Sequence, residues 1–194
     1  MNSAGVRLDP RRLLERRNKK IDFDLLDGLA GKSICGQNDI DRVTAIALSR
    51  FAGLLEVTQI AEHHPLDGKL VITAFFEAST RTRLSFESAV LRLDGKVVSV
   101  PDGRVTGTAK GESLGDVGEM FNSYGDLVVL RHPETEALDE IRSNLVLPLI
   151  NAGNGSGEHP TQALVDWYAL MKWRPALADA ACPDDQKIHL GIVG

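Results

Sequence analysis

Aromatic side chains make up only 5% of this chain, and cysteine occurs just twice, at Cys35 and Cys182. With so few rings, a core has to be assembled mainly from aliphatic side chains. The two cysteines show no CxxC spacing, which argues against a disulfide framework or a cysteine-based zinc site and fits a reducing cytoplasm. No stretch approaches the ~18 consecutive apolar residues that a membrane-spanning helix requires. The sequence also lacks a GxxxxGK[ST] loop, an HExxH pair, a Ser–His–Asp order and any clustered metal-ligand pattern. Gly153-x-Gly155-x-Gly157 is not the dinucleotide fingerprint, because Glu158 stands where the third glycine belongs. What remains is a chain of 194 residues, 43% apolar and 25% charged, the composition of a soluble globular protein. Its length suits one domain and part of another.

Charge is distributed unevenly. Residues 1–20 carry seven basic side chains against Asp9 and Glu15, a net +5, while the whole chain is −5, leaving −10 for residues 21–194. A net-negative body is a poor footprint for nucleic acid. The basic arm has no apolar segment of the kind a secretory signal needs and reads as a solvated or subunit-contacting extension over residues 1–30.

From about residue 38 the pattern alternates between helix and strand. Asn38 or Asp39 is placed to cap a helix whose apolar residues Ile40, Val43, Ile46 or Ala47, Phe51 and Leu54 recur at helical spacing. Residues 70–76 form a nearly continuous apolar run, suited to a strand buried on both faces. A helix from Ser79 to about Asp94 follows, with Leu84, Ala89 or Val90, and Leu91 expected inward. Further strands are expected at 96–100, 126–130 and 147–150, and further helices at 113–124, 134–144 and 160–173, with a glycine-rich loop over 152–158 after the last of these strands. This alternation predicts an α/β fold: a parallel sheet with helices on both faces. Residues 31–173 would form that domain. Residues 174–186 read as a linker, and 188–193 as the first strand of a further domain.

In open parallel sheets, ligands bind where the carboxyl ends of strands meet helix N-termini. Three segments converge on that edge. Ser79-Thr-Arg-Thr82 opens a helix, where unpaired N–H groups and the helix dipole favour an anion. Three hydroxyls and the Arg81 guanidinium suit a phosphate cradle, and simple capping by Ser79 is the alternative. Arg131 directly follows a buried strand. Pro160 fits the first position of a helix, which leaves His159 as its cap and puts Gln162 on the same face. An imidazole and an amide so placed can bind a small carbonyl or amide group.

On these segments the chain resembles the aspartate/ornithine carbamoyltransferase family. Phe76-Glu-Ala-Ser-Thr-Arg-Thr-Arg83 matches the family's carbamoyl phosphate signature, and Lys110-Gly-Glu-Ser, Arg131-His-Pro and Asn151-Ala-Gly…His159-Pro-Thr-Gln162 match its other amino-domain motifs in order. Glu77, Lys110 and the Asn151-Ala-Gly segment favour the aspartate branch. The resemblance runs from about residue 30 to the end and implies the carbamoyl phosphate-binding domain. It implies that Ser79, Thr80, Arg81 and Thr82 hold the phosphate, that Arg131 and His159 polarise the carbamoyl oxygen, and that Gln162 holds the carbamoyl nitrogen. Arg81, Arg131 and His159 would be the catalytic groups. Lys110, with Thr106 where the family commonly has a serine, would reach a neighbouring subunit's site within a homotrimer. The reaction implied is transfer of the carbamoyl group from carbamoyl phosphate to the amine of aspartate in pyrimidine synthesis, with no metal or organic cofactor and no nucleic-acid or membrane partner. A transcarbamylase for another amine and a truncated, non-catalytic assembly subunit are the competing readings. Because the amino-acid-binding residues would lie in a further domain, this chain by itself is expected to bind carbamoyl phosphate without transferring it.

Overall fold

A computed structural model describes residues 8–15, 21–58, 64–103, 111–179, 189 and 191. Four parallel strands make its sheet: β1 (Leu70–Phe75), β2 (Lys96–Val100), β3 (Leu127–His132) and β4 (Leu149–Asn154), in the order β2-β1-β3-β4. Ile34 adds an isolated parallel bridge to Ile150 on the outer side of β4. The apolar run behind β1 is explained by its place between β2 and β3, which buries Val71 through Phe75.

Side chains alternate between the two faces of the sheet. Ile72, Ala74, Val128 and Leu130 pack on one face against Val117 and Phe121 of α5 (Leu114–Phe121) and Leu138 and Ile141 of α6 (Ala137–Arg142). Val71, Phe75 and Val129 pack on the other against Val90 of α4 (Thr80–Arg92). A separate cluster joins α3 (Arg42–Val57) to α7 (Pro160–Trp173), with Ile46 and Met171 among its members, and the short α2 (Phe23–Asp27) sets the Phe23 ring edge-on to Phe51 of α3.

Several boundaries differ from expectation for identifiable reasons. Neither Asn38 nor Asp39 caps α3. The Asp39 carboxylate accepts instead from the backbone N–H groups of Cys35 (2.6 Å) and Gly36 (2.9 Å), and Asp41 caps the helix by accepting from Thr44 N (2.7 Å). In α4, Val90 is buried, but Leu84 and Leu91 are 54% and 59% exposed. These two leucines, seven residues apart, share a stripe opposite Phe86, which packs with Val90 against the sheet. Val43 of α3 is likewise exposed. The strand β4 runs on through Ala152, Gly153 and Asn154, into the segment 152–158 expected as a loop.

The basic segment is not a uniformly solvated extension. Its helix α1 (Arg11–Leu14) sends Leu13 into full burial against Met171 and Ala178, while Arg11 and Arg12 stay exposed. At the other end, Pro175–Ala178 of the expected linker forms a 3₁₀ turn packed on α7. The strand expected at 188–193 lies outside the described residues, apart from His189 and Gly191.

Candidate active site

From β1 the chain passes to β2 on one side and then crosses to β3 on the other, so the strand order reverses between β1 and β3. A crevice at the carboxyl ends of those two strands is where such a sheet binds ligands. Phe75 at the end of β1 lies level with Arg131 near the end of β3, and Phe76 N donates to Arg131 O (2.8 Å). The cleft that opens there, about 970 Å³, is lined by Ser79, Thr80, Arg81, Thr82, Arg131, His159 and Gln162 together. These residues come from three segments spread between Ser79 and Gln162, and the expected Thr106 and Lys110 lie outside the described residues.

The first wall is the N-terminus of α4. Ser79 occupies the cap position, but its hydroxyl makes no capping bond and donates to Thr82 Oγ1 (2.9 Å). Among the described residues, no side chain therefore caps the anion-attracting end of the helix by a hydrogen bond. Thr80 and Arg81 are exposed at its mouth.

Arg131 is held from two sides. Its Nη1 donates to Ala152 O (2.9 Å), and its Nη2 lies 3.0 Å from Glu77 Oε2. That ion pair is close but not directed as a hydrogen bond, and among the described residues neither the carboxylate oxygen nor the buried Nε has a hydrogen-bond partner. The guanidinium thus carries spare donor capacity at the edge of the cleft. Its neighbour His132 points to the opposite face of β3, where it packs against the Phe76 ring (centroids 5.3 Å apart) and accepts from Glu134 N (3.1 Å).

The third wall is the turn into α7. Pro160 stands at the first helical position and His159 at the cap, as the sequence predicts. The His159 Nδ1 accepts from Gln162 N (3.4 Å) and lies 3.2 Å from Thr161 Oγ1. With Nδ1 as acceptor, the proton of the neutral ring belongs on Nε2. Burial lowers the affinity of this ring for a second proton, and the Arg131 charge lowers it further, only partly opposed by Asp166. The imidazole is accordingly a neutral donor. Gln162 Nε2 donates to Asp166 Oδ1 (3.0 Å), which leaves the Gln162 carbonyl oxygen as its acceptor.

The turn itself is set by two buried asparagines. Asn151 donates to Cys35 O (2.8 Å) and Glu158 O (3.1 Å) and accepts from Gly153 N (2.8 Å). Asn154 accepts from Glu158 N (2.8 Å) and donates to Thr135 O (3.1 Å). Glu158 in turn accepts from Gln37 N.

Sequence reasoning missed Ala78, Ser85, Phe86, Ala89, Thr161 and Val165 as lining residues and Asp166 as a support. The α4 residues among them were readable as one helical face with Thr82, at spacings of three, four and seven. Asp166 was readable as the i+4 partner of Gln162.

The comparisons with known proteins agree with this geometry. Residues 32–172 match a family profile described as aspartate/ornithine carbamoyltransferase, carbamoyl-P binding domain. The aspartate carbamoyltransferase catalytic subunit of Picrophilus torridus is 52% identical over 107 residues, covering 55% of this chain and 35% of the relative. That of Methanospirillum hungatei is 39% identical over 158 residues, covering 81% and 49%. Aspartate transcarbamoylase of Trypanosoma cruzi, solved with carbamoyl phosphate and aspartate, superposes with a TM-score of 0.70 at 38% identity, covering 74% of this chain and 45% of that one. The same enzyme with carbamoyl aspartate and phosphate gives 0.69 at 38% identity, covering 74% and 47%. The chain spans about half the length of these relatives, or less. With a doubly covered parallel sheet, a cleft at its switch point and a family match over 32–172, this chain belongs to the aspartate/ornithine carbamoyltransferase family.

Proposed function

We propose that this chain carries the carbamoyl phosphate half of an aspartate carbamoyltransferase. The convergence of Ser79–Thr82, Arg131, His159 and Gln162 on one cleft is the observation that carries the reading. The phosphate sits at the N-terminus of α4, held by backbone N–H groups, the hydroxyls of Ser79, Thr80 and Thr82, and the Arg81 guanidinium. Arg131 and the His159 Nε2–H donate to the carbamoyl oxygen, and the Gln162 carbonyl accepts from the carbamoyl nitrogen.

Attack by the α-amine of aspartate forms the new C–N bond and moves negative charge onto the carbamoyl oxygen. That charge develops against donors already fixed by Glu77, Ala152 and the α7 cap, so little reorganisation accompanies the step. As the tetrahedral intermediate collapses, the C–O bond to phosphate breaks and the amine proton passes to the departing phosphate, giving carbamoyl aspartate and phosphate. His159, kept neutral, supports the oxyanion as a hydrogen-bond donor. No step calls for a metal or an organic cofactor.

Arg81 and Arg131 are both engaged by the first substrate in this arrangement. The residues that bind the two carboxylates of aspartate lie in a further domain, as the family resemblance implies. Residues 31–173 act as the carbamoyl phosphate domain, with 174–194 leading into an amino-acid-binding domain. Lys110 and Thr106 are contributed across the interface of a homotrimer, as the family resemblance implies, and the scarcity of cysteine fits a reducing cytoplasm. The test is competition at equilibrium. Carbamoyl phosphate should perturb the amide signals of residues 79–82 and 159–162, inorganic phosphate should displace it, and NAD should produce no change. Perturbation by NAD, or none by carbamoyl phosphate, would overturn the proposal.

A further inference from the structure

Gln162 presents an acceptor to the cleft only if its amide is held in one of two orientations that differ little in shape. The side chain ends in one acceptor oxygen and one NH₂ donor, and a half-turn about the last torsion exchanges them. Its Nε2 lies 3.0 Å from Oδ1 of Asp166, one helical turn further along α7. A flipped amide would set its oxygen against a carboxylate oxygen, two acceptors with no proton between them. Asp166 is itself exposed, belongs to no apolar cluster and does not line the cleft.

Building on the carbamoyl phosphate reading above, we propose that Asp166 is a positioning residue that makes this site selective for acyl phosphates bearing an NH₂ group. By holding the Gln162 NH₂, it commits the Gln162 oxygen to the ligand. A carbamoyl nitrogen donates to that oxygen. Acetyl phosphate, with a methyl group of nearly the same size in that place, has nothing to donate and leaves the oxygen unpaired. Sites built to pair a polar group reject the analogue lacking it for this reason. Any effect of Asp166 on His159, which faces the acyl oxygen common to carbamoyl and acetyl phosphate, is shared by those two ligands and cancels in their ratio.

Affinities of the purified chain for carbamoyl phosphate, acetyl phosphate and inorganic phosphate should be compared in the unaltered protein and in Asp166→Ala and Asp166→Asn. In Asp166→Ala, affinity for carbamoyl phosphate relative to acetyl phosphate should fall by about three- to tenfold, the scale of one hydrogen bond. Asp166→Asn can accept through its own oxygen but can also donate to a flipped Gln162, so it should fall between the two. Equal weakening of all three ligands would show a merely structural role and overturn the proposal, as would an unchanged ratio of carbamoyl to acetyl phosphate. If the unaltered chain bound inorganic phosphate and carbamoyl phosphate equally well, the phosphate cradle would stand and this selectivity would fall. If it bound neither, the underlying reading would fall with it.

Discussion

Gly153 shows how much a single residue decides in this site. Its φ is +114°, and a Cβ there would lie 2.5 Å from Arg131 Nη1 and 3.4 Å from a His159 ring carbon. Both the backbone conformation and the approach of the guanidinium therefore demand glycine. Gly153→Ala should push Arg131 out of place and strain the backbone by about 1–3 kcal/mol. The expected result is a lower unfolding midpoint together with loss of carbamoyl phosphate affinity, and a variant that binds normally would count against the placement of Arg131. The motif containing Gly153 was visible in the sequence, but the reason for the glycine was not, because it lies in Arg131, 22 residues away in the chain. His159 was identifiable as a helix cap, whereas its neutrality depends on burial and on Arg131. An NMR titration should find its midpoint below the ordinary value of about 6.5. A ring held neutral in this way adds stability above that ordinary value and gives it up as pH falls toward the folded midpoint. Arg131→Ala should raise the midpoint only part of the way, since burial is the larger cause. A midpoint unmoved by that substitution would separate the two residues.

Among the elements, those with unambiguous periodicity or caps were legible: β1 as a continuous apolar run, β2 in full, and α7 from Pro160 to Trp173. Elements whose inward face depends on a neighbour were not. Leu84 and Leu91 fit a helical stripe, yet the sheet takes the Phe86 and Val90 side of α4 instead. The short α1 was the least legible, because five arginines between positions 7 and 17 conceal one buried leucine. Leu13 is fully buried beside Met171 at the far end of α7, the helix whose first turn carries His159 and Gln162. Leu13→Ala should therefore cost about 2–5 kcal/mol of stability, measured as a shift in the urea midpoint. A solvated arm would show no shift. Lys172 and Tyr168 of α7 further tie it to α3 through Glu56, whose carboxyl is held below the usual range mainly by the Tyr168 hydroxyl.

For the whole molecule, the sheet and the edge on which the cleft opens were legible together because both follow from parallel strands. Parallel strands put every strand-to-helix turn on the same edge, and the order reversal between β1 and β3 opens the crevice there. The contribution of another subunit has no such signature within one chain and rests on family resemblance through Lys110. In the full-length enzyme, mixing inactive Lys110→Ala subunits with inactive Arg81→Ala subunits should restore activity at hybrid sites. No recovery, with hybrids verified by mass, would place the site within one subunit. The central claim, that the N-terminus of α4 is the phosphate site, meets its most direct test in calorimetric titration of this chain with carbamoyl phosphate, before and after Arg81→Ala. Arg81 is exposed, so its removal should leave the unfolding midpoint unchanged while affinity falls by the roughly 1.5–3 kcal/mol of a charge-assisted contact, about 10- to 150-fold. Unchanged affinity in a folded Arg81→Ala protein would contradict the account.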